Sequence, residues 1–227
     1  HDDLAEHFRA LGHRTLAHPW TFGNSHRVAV MVSGNAMAHV YLDLERRERP
    51  YWPELRHRWE DAVSSLLERK SVDLAVLPHS PARVEVRAAG RGRAFIEKSN
   101  GPYTYRPDTG DPLGIGEIGT VTASQAFDLT SASDYPDGIV QIANLAASSR
   151  SGEIMLSAAR DWDFRERYEP IRHVSSHGAL HREHMLVPLV ASRPIRGTPR
   201  RTVDVMPSAL SALGQPIPGG LDGCSFL

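Results

Sequence analysis

The residues best suited to chemistry lie close together in one stretch, His173-Val-Ser-Ser-His177-Gly-Ala-Leu-His181-Arg-Glu-His184. Neutral imidazole is a common metal ligand, with zinc–nitrogen distances of about 2.0–2.1 Å. Gly178 directly after His177 lets the backbone come close to an ion or a substrate. The four-residue step from His173 to His177 would align two rings on a helix, but Ser175, Ser176 and Gly178 argue for a loop. No H-E-x-x-H pattern is present. Spacing therefore leaves two readings open, a metal site or a solvated histidine-rich loop. A second motif, Gly114-Ile-Gly116-Glu-Ile-Gly119, matches a dinucleotide fingerprint in letters only, because Asp108-Thr-Gly-Asp-Pro precedes it where an apolar strand is needed. It reads as a loop. The run Asp161-Trp-Asp163-Phe-Arg165-Glu-Arg167-Tyr168-Glu169 reads as an exposed loop packed by Trp162 and Phe164, with the border of a cleft as the sharper alternative. Arg193, Arg196, Arg200 and Arg201 read as a solvated basic surface, and Cys224 as inert.

The elements that must position the histidines follow from periodicity. Asp2 to Leu11 is a short capped helix, with Leu4, Phe8 and Leu11 on one face and Gly12 ending it. Val28–Val32 and Ala38–Leu42 are strand-length apolar runs joined at Gly34-Asn35, a hairpin signal. Leu55, Trp59, Val63 and Leu66 recur at helical spacing between Pro53 and Lys70. Short strands at 72–77, 83–87, 93–98 and 103–106 make a β-rich middle, and glycine and proline break residues 100–120 largely into loops. A helix at 137–148 and a strand at 153–158 follow. Met185 to Ala191 reads as a strand buried on both faces, and 203–213 as a helix with Val203, Met206, Leu210 and Leu213 on one stripe. Helices alternating with apolar strands in the first and last thirds predict an α/β sandwich with a partly antiparallel insertion.

Two segments of the last third carry a family resemblance. Ser176-His177-Gly178-Ala179-Leu180, running on to Met185-Leu186-Val187-Pro188-Leu189, resembles the "HGSL…M.VPL" segment of alkaline-phosphatase-superfamily proteins. Arg201-Thr-Val-Asp204-Val-Met-Pro207-Ser208 to Gly214, then Leu221-Asp222-Gly223-Cys224-Ser225, resembles the closing "vDv.PTll.llG…DG.S" pattern of the type I phosphodiesterase/nucleotide pyrophosphatase branch. The resemblance implies an alkaline-phosphatase-like sandwich, with residues 1–227 as a single C-terminal portion and a β-rich insertion around 80–120. It implies a metal-dependent phosphoester hydrolase using two divalent ions, zinc foremost, with His177 as the last ligand and a phosphoester small molecule as substrate. A sulfatase or phosphomutase relative, or a catalytically silent domain that keeps the fold, are the rival readings.

In that family a Ser/Thr nucleophile, further Asp and His ligands and an Asp-His-Gly lie upstream of the closing segments. The nearest match here, Ser33-Gly34-Asn35-Ala36-Met37, has glycine and asparagine at the two ligand positions. Either the site has decayed, or the true Asp-His-Gly precedes His1. The second is preferred, because His1-Asp2-Asp3-Leu4 is neither an initiator methionine nor a secretion signal and the later His-Gly is intact. The missing N-terminal part of the same protein is then a required partner, and this chain alone is expected to be inactive.

Composition excludes other classes. The net charge of −1 over 227 residues gives no electrostatic footprint for a nucleic-acid polymer. No apolar run approaches the roughly 20 residues of a membrane span. One cysteine rules out an internal disulfide framework and fits a reducing compartment.

Overall fold

The computed structural model describes residues 1–17, 25–46, 48–165 and 174–227. They fall into two compact units, His1–Leu186 and Val187–Leu227. His173 and the charged residues Glu166 to Glu169 lie outside the described residues.

The first unit is mixed α/β and is built on a nine-stranded sheet. Its strands are β1 (Thr15–Leu16), β2 (Val28–Ser33), β3 (Met37–Leu42), β4 (Val72–Ser80), β5 (Arg83–Ala88), β6 (Gly92–Lys98), β7 (Tyr103–Gly110), β8 (Ile118–Val121) and β9 (Ile154–Ala158). Their spatial order is β1-β2-β3-β9-β4-β5-β6-β7-β8. Only β1 and β2 pair in parallel; every other neighbouring pair is antiparallel. Antiparallel pairing is therefore not confined to residues 80–120, and β5–β8 continue the same sheet as β2, β3 and β9.

The period-two alternation of the central strands sorts the core into two clusters. Ala75 and Leu77 of β4, with Ile154 and Leu156 of β9, pack with helices α1 (Leu4–Ala10) and α2 (Trp52–Leu67). Leu74 and Val76 of β4, with Met155 of β9, pack with α4 (Gly138–Ala147) and with Ala126 of α3 (Ala123–Thr130). Helices thus cover both faces of the strands that end at the histidine loop.

Local chemistry explains the helix ends. Asp3 caps α1 by accepting the Glu6 amide at 2.9 Å, and Gly12 leaves the helix at φ +86°. The helix ends at Ala10, so Leu11 turns outward instead of joining Leu4 and Phe8. In α2, Trp52, Leu55, Trp59, Ala62, Val63 and Leu66 form the buried stripe that the spacing predicts. Helix α3, opened by a Thr122–Gln125 capping box, and strand β8 are not among the elements that periodicity predicts, and β8 lies in the region expected as loops. Strand β7 also runs on through Pro107 to Gly110, because Pro107 sits at a register shift opposite β6 where no ladder donor is needed.

The expected strand from Met185 to Ala191 is not formed. A four-residue helix, α5 (Arg182–Met185), precedes an extended stretch that pairs with no strand among the described residues. Val187 and Val190 are 66% and 92% exposed, so the segment is not buried on either face. An apolar run becomes a strand only where a neighbouring edge accepts its hydrogen bonds, and Pro188 also removes one donor.

The second unit is organised by Asp204. A 3-10 turn (Thr202–Asp204) leads into α6 (Val205–Ala212), which Gly214 ends at φ +65°. The Asp204 carboxylate accepts the Arg200 and Arg201 amides at 2.9 and 3.0 Å and the Cys224 amide at 2.9 Å. Ser208 accepts the Phe226 amide at 3.0 Å and donates to the Asp204 carbonyl at 2.7 Å. A Cβ at position 223 would collide with the Val203 carbonyl, so glycine is required there. The Asp…Pro-Ser…Asp-Gly pattern is thus a staple that ties the end of the chain to α6. The expected apolar stripe is not buried: Val203, Met206 and Leu213 are exposed, and Pro207 and Ser208 are buried instead. Asp204→Ala leaves three amides without their acceptor, and a hydrogen bond to a charged group contributes roughly 1.5–3 kcal/mol. The expected result is faster tryptic cleavage after Arg196, Arg200 and Arg201, with the first unit's thermal midpoint unmoved.

Candidate functional site

The site forms where β2 ends and β3 begins. Ser33 and Met37 are paired across the hairpin, and Gly34 and Asn35 between them both have left-handed backbone, φ +60° and +62°. That conformation turns the Gly34 and Ala36 peptides toward a third segment, and His177 occupies the place. The His177 amide donates to the Gly34 carbonyl at 2.6 Å, and the Ala36 amide donates to the His177 carbonyl at 3.1 Å, giving a one-residue parallel bridge between Asn35 and His177. The Asn35 carbonyl accepts the Phe164 amide at 2.5 Å, and Phe164 is in turn bridged to Asp2. The Ala36 carbonyl accepts the Ala158 amide at 2.9 Å, joining the turn to the residue that ends β9. His177, Phe164 and Ala158, all far from the hairpin in sequence, therefore meet at its turn.

Beyond His177 the chain is held just as closely. Gly178 has φ +102°, and a Cβ there would lie 3.0 Å from the Ser33 carbonyl oxygen. Ala179 is buried in the core. Its amide donates to His184 Nδ1 at 3.2 Å, and the next amide, of Leu180, donates to Ser157 Oγ of β9 at 3.0 Å. His177 itself is exposed, and its ring makes no hydrogen bond among the described residues. The His177 backbone is thus fixed from both sides, while its ring is exposed.

The other histidines are engaged differently. His181 is buried and hydrogen-bonds through Nδ1 to Glu183 at 2.9 Å, while its ring lies 4.2 Å from that of His184. Burial, together with His181 nearby, holds His184 below the usual imidazole range, consistent with an unprotonated Nδ1 accepting the Ala179 amide. The backbone amide of Glu183 and the Arg160 guanidinium pull the Glu183 carboxyl down to about 2, and Arg160 also pairs with Asp134 at 2.8 Å.

A cleft of about 670 Å³ opens beside this loop, lined among others by Arg160, Trp162, Ser175, Ser176, His181 and His184. Both sequence readings of the aromatic run hold in part: Phe164 is fully buried, whereas Trp162 borders the cleft. Among the described residues, no three His, Cys, Asp or Glu side chains come together as a metal site.

The glycine-rich decoy is explained by its own carboxylate. Asp111 accepts the Gly114 and Gly116 amides at 2.9 and 2.7 Å and the Tyr105 hydroxyl at 2.5 Å. Two amides that would cradle a phosphate are already taken, by a group that repels one. Sequence reading singled out His177 but assigned no role to Ser157. Nothing local marks Ser157 or His184 as a holder of the loop. No family model, no curated protein and no solved structure matches the chain.

Proposed function

We propose that this chain supplies the last metal-ligand histidine, His177, to a metal-dependent phosphoester hydrolase with an alkaline-phosphatase-like sandwich, akin to the type I phosphodiesterase/nucleotide pyrophosphatase branch. The observation that carries the reading is the exposed His177 ring on a backbone clamped at the β2–β3 turn. It joins the sequence resemblance, which selected the same histidine from its neighbours. A pair of divalent ions, when bound, would supply activation of a hydroxyl nucleophile and stabilisation of the leaving oxygen. His177 would hold one of the ions, on a loop that the β2–β3 turn keeps from swinging, and the cleft lined by Ser175 and Ser176 would admit the substrate. In this reading the nucleophile and the remaining ligands would come from outside the described residues, among which no three His, Cys, Asp or Glu side chains come together.

One observation favours a second reading, a silent binding domain. Gly34 and Asn35, which stand where the resemblance would put a carboxylate and an imidazole, lie directly against His177 and cannot replace those ligands. One experiment separates the two. The protein is expected to retain two divalent ions after dialysis, and His177→Ala is expected to lose one. Hydrolysis of bis(p-nitrophenyl) phosphate should fall roughly 100-fold or more, since loss of even an outer partner of a ligand costs about 10–100-fold. Unchanged ion content and hydrolysis would overturn the assignment. Cleavage of p-nitrophenyl sulfate in preference to the phosphodiester would favour the sulfatase relative.

A further inference from the structure

Helix α1 meets α2 through a cluster of polar side chains in which the neighbours assign each proton. Asp2 is 8% exposed, and its carboxylate accepts from Arg69 Nε at 2.6 Å, from a second guanidinium N–H and from the Ser71 hydroxyl. The same guanidinium turns Nη1 to His7 Nδ1 at 3.1 Å, and His7 Nε2 meets Ser65 Oγ at 3.1 Å. A guanidinium only donates, so His7 Nδ1 is the acceptor and Nε2 carries the proton. Ser65 fits this assignment, because its hydroxyl donates to the Ala62 carbonyl at 2.9 Å and its oxygen is left to accept from His7. The ring is held neutral from both sides.

Asp2 carries this arrangement onward. Its amide donates to the Asp163 carbonyl at 2.8 Å and its carbonyl accepts the Arg165 amide at 3.0 Å, forming the bridge to Phe164. The Phe164 amide is held in turn by Asn35 of the β2–β3 turn, on which His177 is seated.

We propose that His7, Arg69 and Asp2 form an acid-sensitive latch, in which protonation of His7 releases α1 from α2 and frees the Asp2 segment from the β2–β3 turn. An added proton would sit on Nδ1, against a guanidinium that cannot accept it. Two N–H groups tie Arg69 to Asp2, whereas Ser65 alone ties His7 to α2 by a second bond, so His7 is the side that gives way. His7 lies in the middle of α1, which starts at Leu4 directly after Asp2 and Asp3, so movement of the helix pulls on Asp2. The charged and titratable groups around the ring are His1, Asp2, Glu68, Arg69 and Lys70, which line an open cleft of about 620 Å³, with His13 beyond Phe8. Burial and then Arg69 hold the His7 pKa below the usual imidazole range, against the opposing pull of Asp2. The folded value lies below the unfolded one, so this contribution to stability is present above about pH 6.5 and is lost as pH falls through the folded value. The latch needs no ion at His177 and is independent of the metal reading.

The test is amide exchange in the full chain at about pH 7.5 and about pH 5, corrected for intrinsic rates, with each histidine ring titrated by NMR. The amides of α1, Phe164, Arg165 and His177 should exchange faster at the lower pH, with a midpoint that follows the His7 ring. His7→Gln offers Arg69 an oxygen and Ser65 an N–H but takes up no proton. The quickening should be lost in that variant, with exchange at the higher pH as in the parent. His13, His39 and His184, which burial also holds below the usual imidazole range, are the rival sensors. A midpoint that follows one of those rings, or quickening that persists in His7→Gln, would overturn the latch. Quickening confined to Leu4–Ala10 would overturn it as well, because the turn would not be reached. If His7→Gln fails to fold, the ring titration of the parent decides between His7 and its rivals without a variant.

Discussion

Gly34→Ala is expected to destabilise the His1–Leu186 unit by about 2–4 kcal/mol, and to loosen the His177 loop more than any other part. An L-residue held in the left-handed region costs roughly 1–2 kcal/mol by itself. Here the new Cβ would also stand 2.5 Å from the His177 carbonyl oxygen and against the ring's Nδ1. The ring can rotate away, but the carbonyl cannot, because the His177 peptide is hydrogen-bonded to Gly34 and Ala36 on both sides. The measurement is the thermal midpoint, which should fall roughly 5–15 °C for a unit of this size. Asn35→Gly is the control: its backbone is also left-handed, so glycine there should be tolerated within a few tenths of a kcal/mol. An unchanged midpoint in Gly34→Ala would mean that the turn and His177 do not meet.

The second large effect lies away from the site, under α2. Glu85 is 2% exposed and accepts from Arg87 at 2.6 Å and pairs with His79 at 2.8 Å; Arg87 reaches on to Glu60. Burial by itself would raise the Glu85 pKa, but the hydrogen bonds from His79 and Arg87 outweigh it and hold the carboxyl down to about 2. The folded value lies below the unfolded one, so the ionised carboxylate stabilises the fold above about pH 4.5. That contribution, about 3 kcal/mol, is lost as pH falls from about 4.5 towards 2. Glu85→Gln should therefore flatten the acid limb of stability against pH. Arg87→Leu should cost about 3–5 kcal/mol at neutral pH, because it strands a buried charge. Denaturant unfolding at pH 7 and pH 3 reads both effects. A parent with equal stability at the two pH values would refute the role given to Glu85.

How much of the site could be read in advance depends on the range of the forces that make it. The hairpin was legible because Gly34-Asn35 between two apolar runs is a local signal, needing only backbone sterics. His177 was legible through its motif, and the closing Asp204 pattern through its letters, although its work as a staple was not. The Met185–Ala191 segment misled because its apolar character is local, whereas strand formation needs a partner edge supplied from elsewhere. The capping box of α3 was readable and was missed.

By itself the sequence determined the elements: where helices are capped, where strands alternate, and which histidine is followed by the glycine its loop requires. Only the tertiary structure decided that the β2–β3 turn, Phe164, the end of β9 and His177 share one place, and that Ser157 and His184 hold the loop there. The reason is physical. Capping and turn chemistry act over three or four residues and leave their mark in order along the chain. The backbone bonds that seat His177 on the β2–β3 turn join residues more than a hundred positions apart and exist only once the sheet has closed.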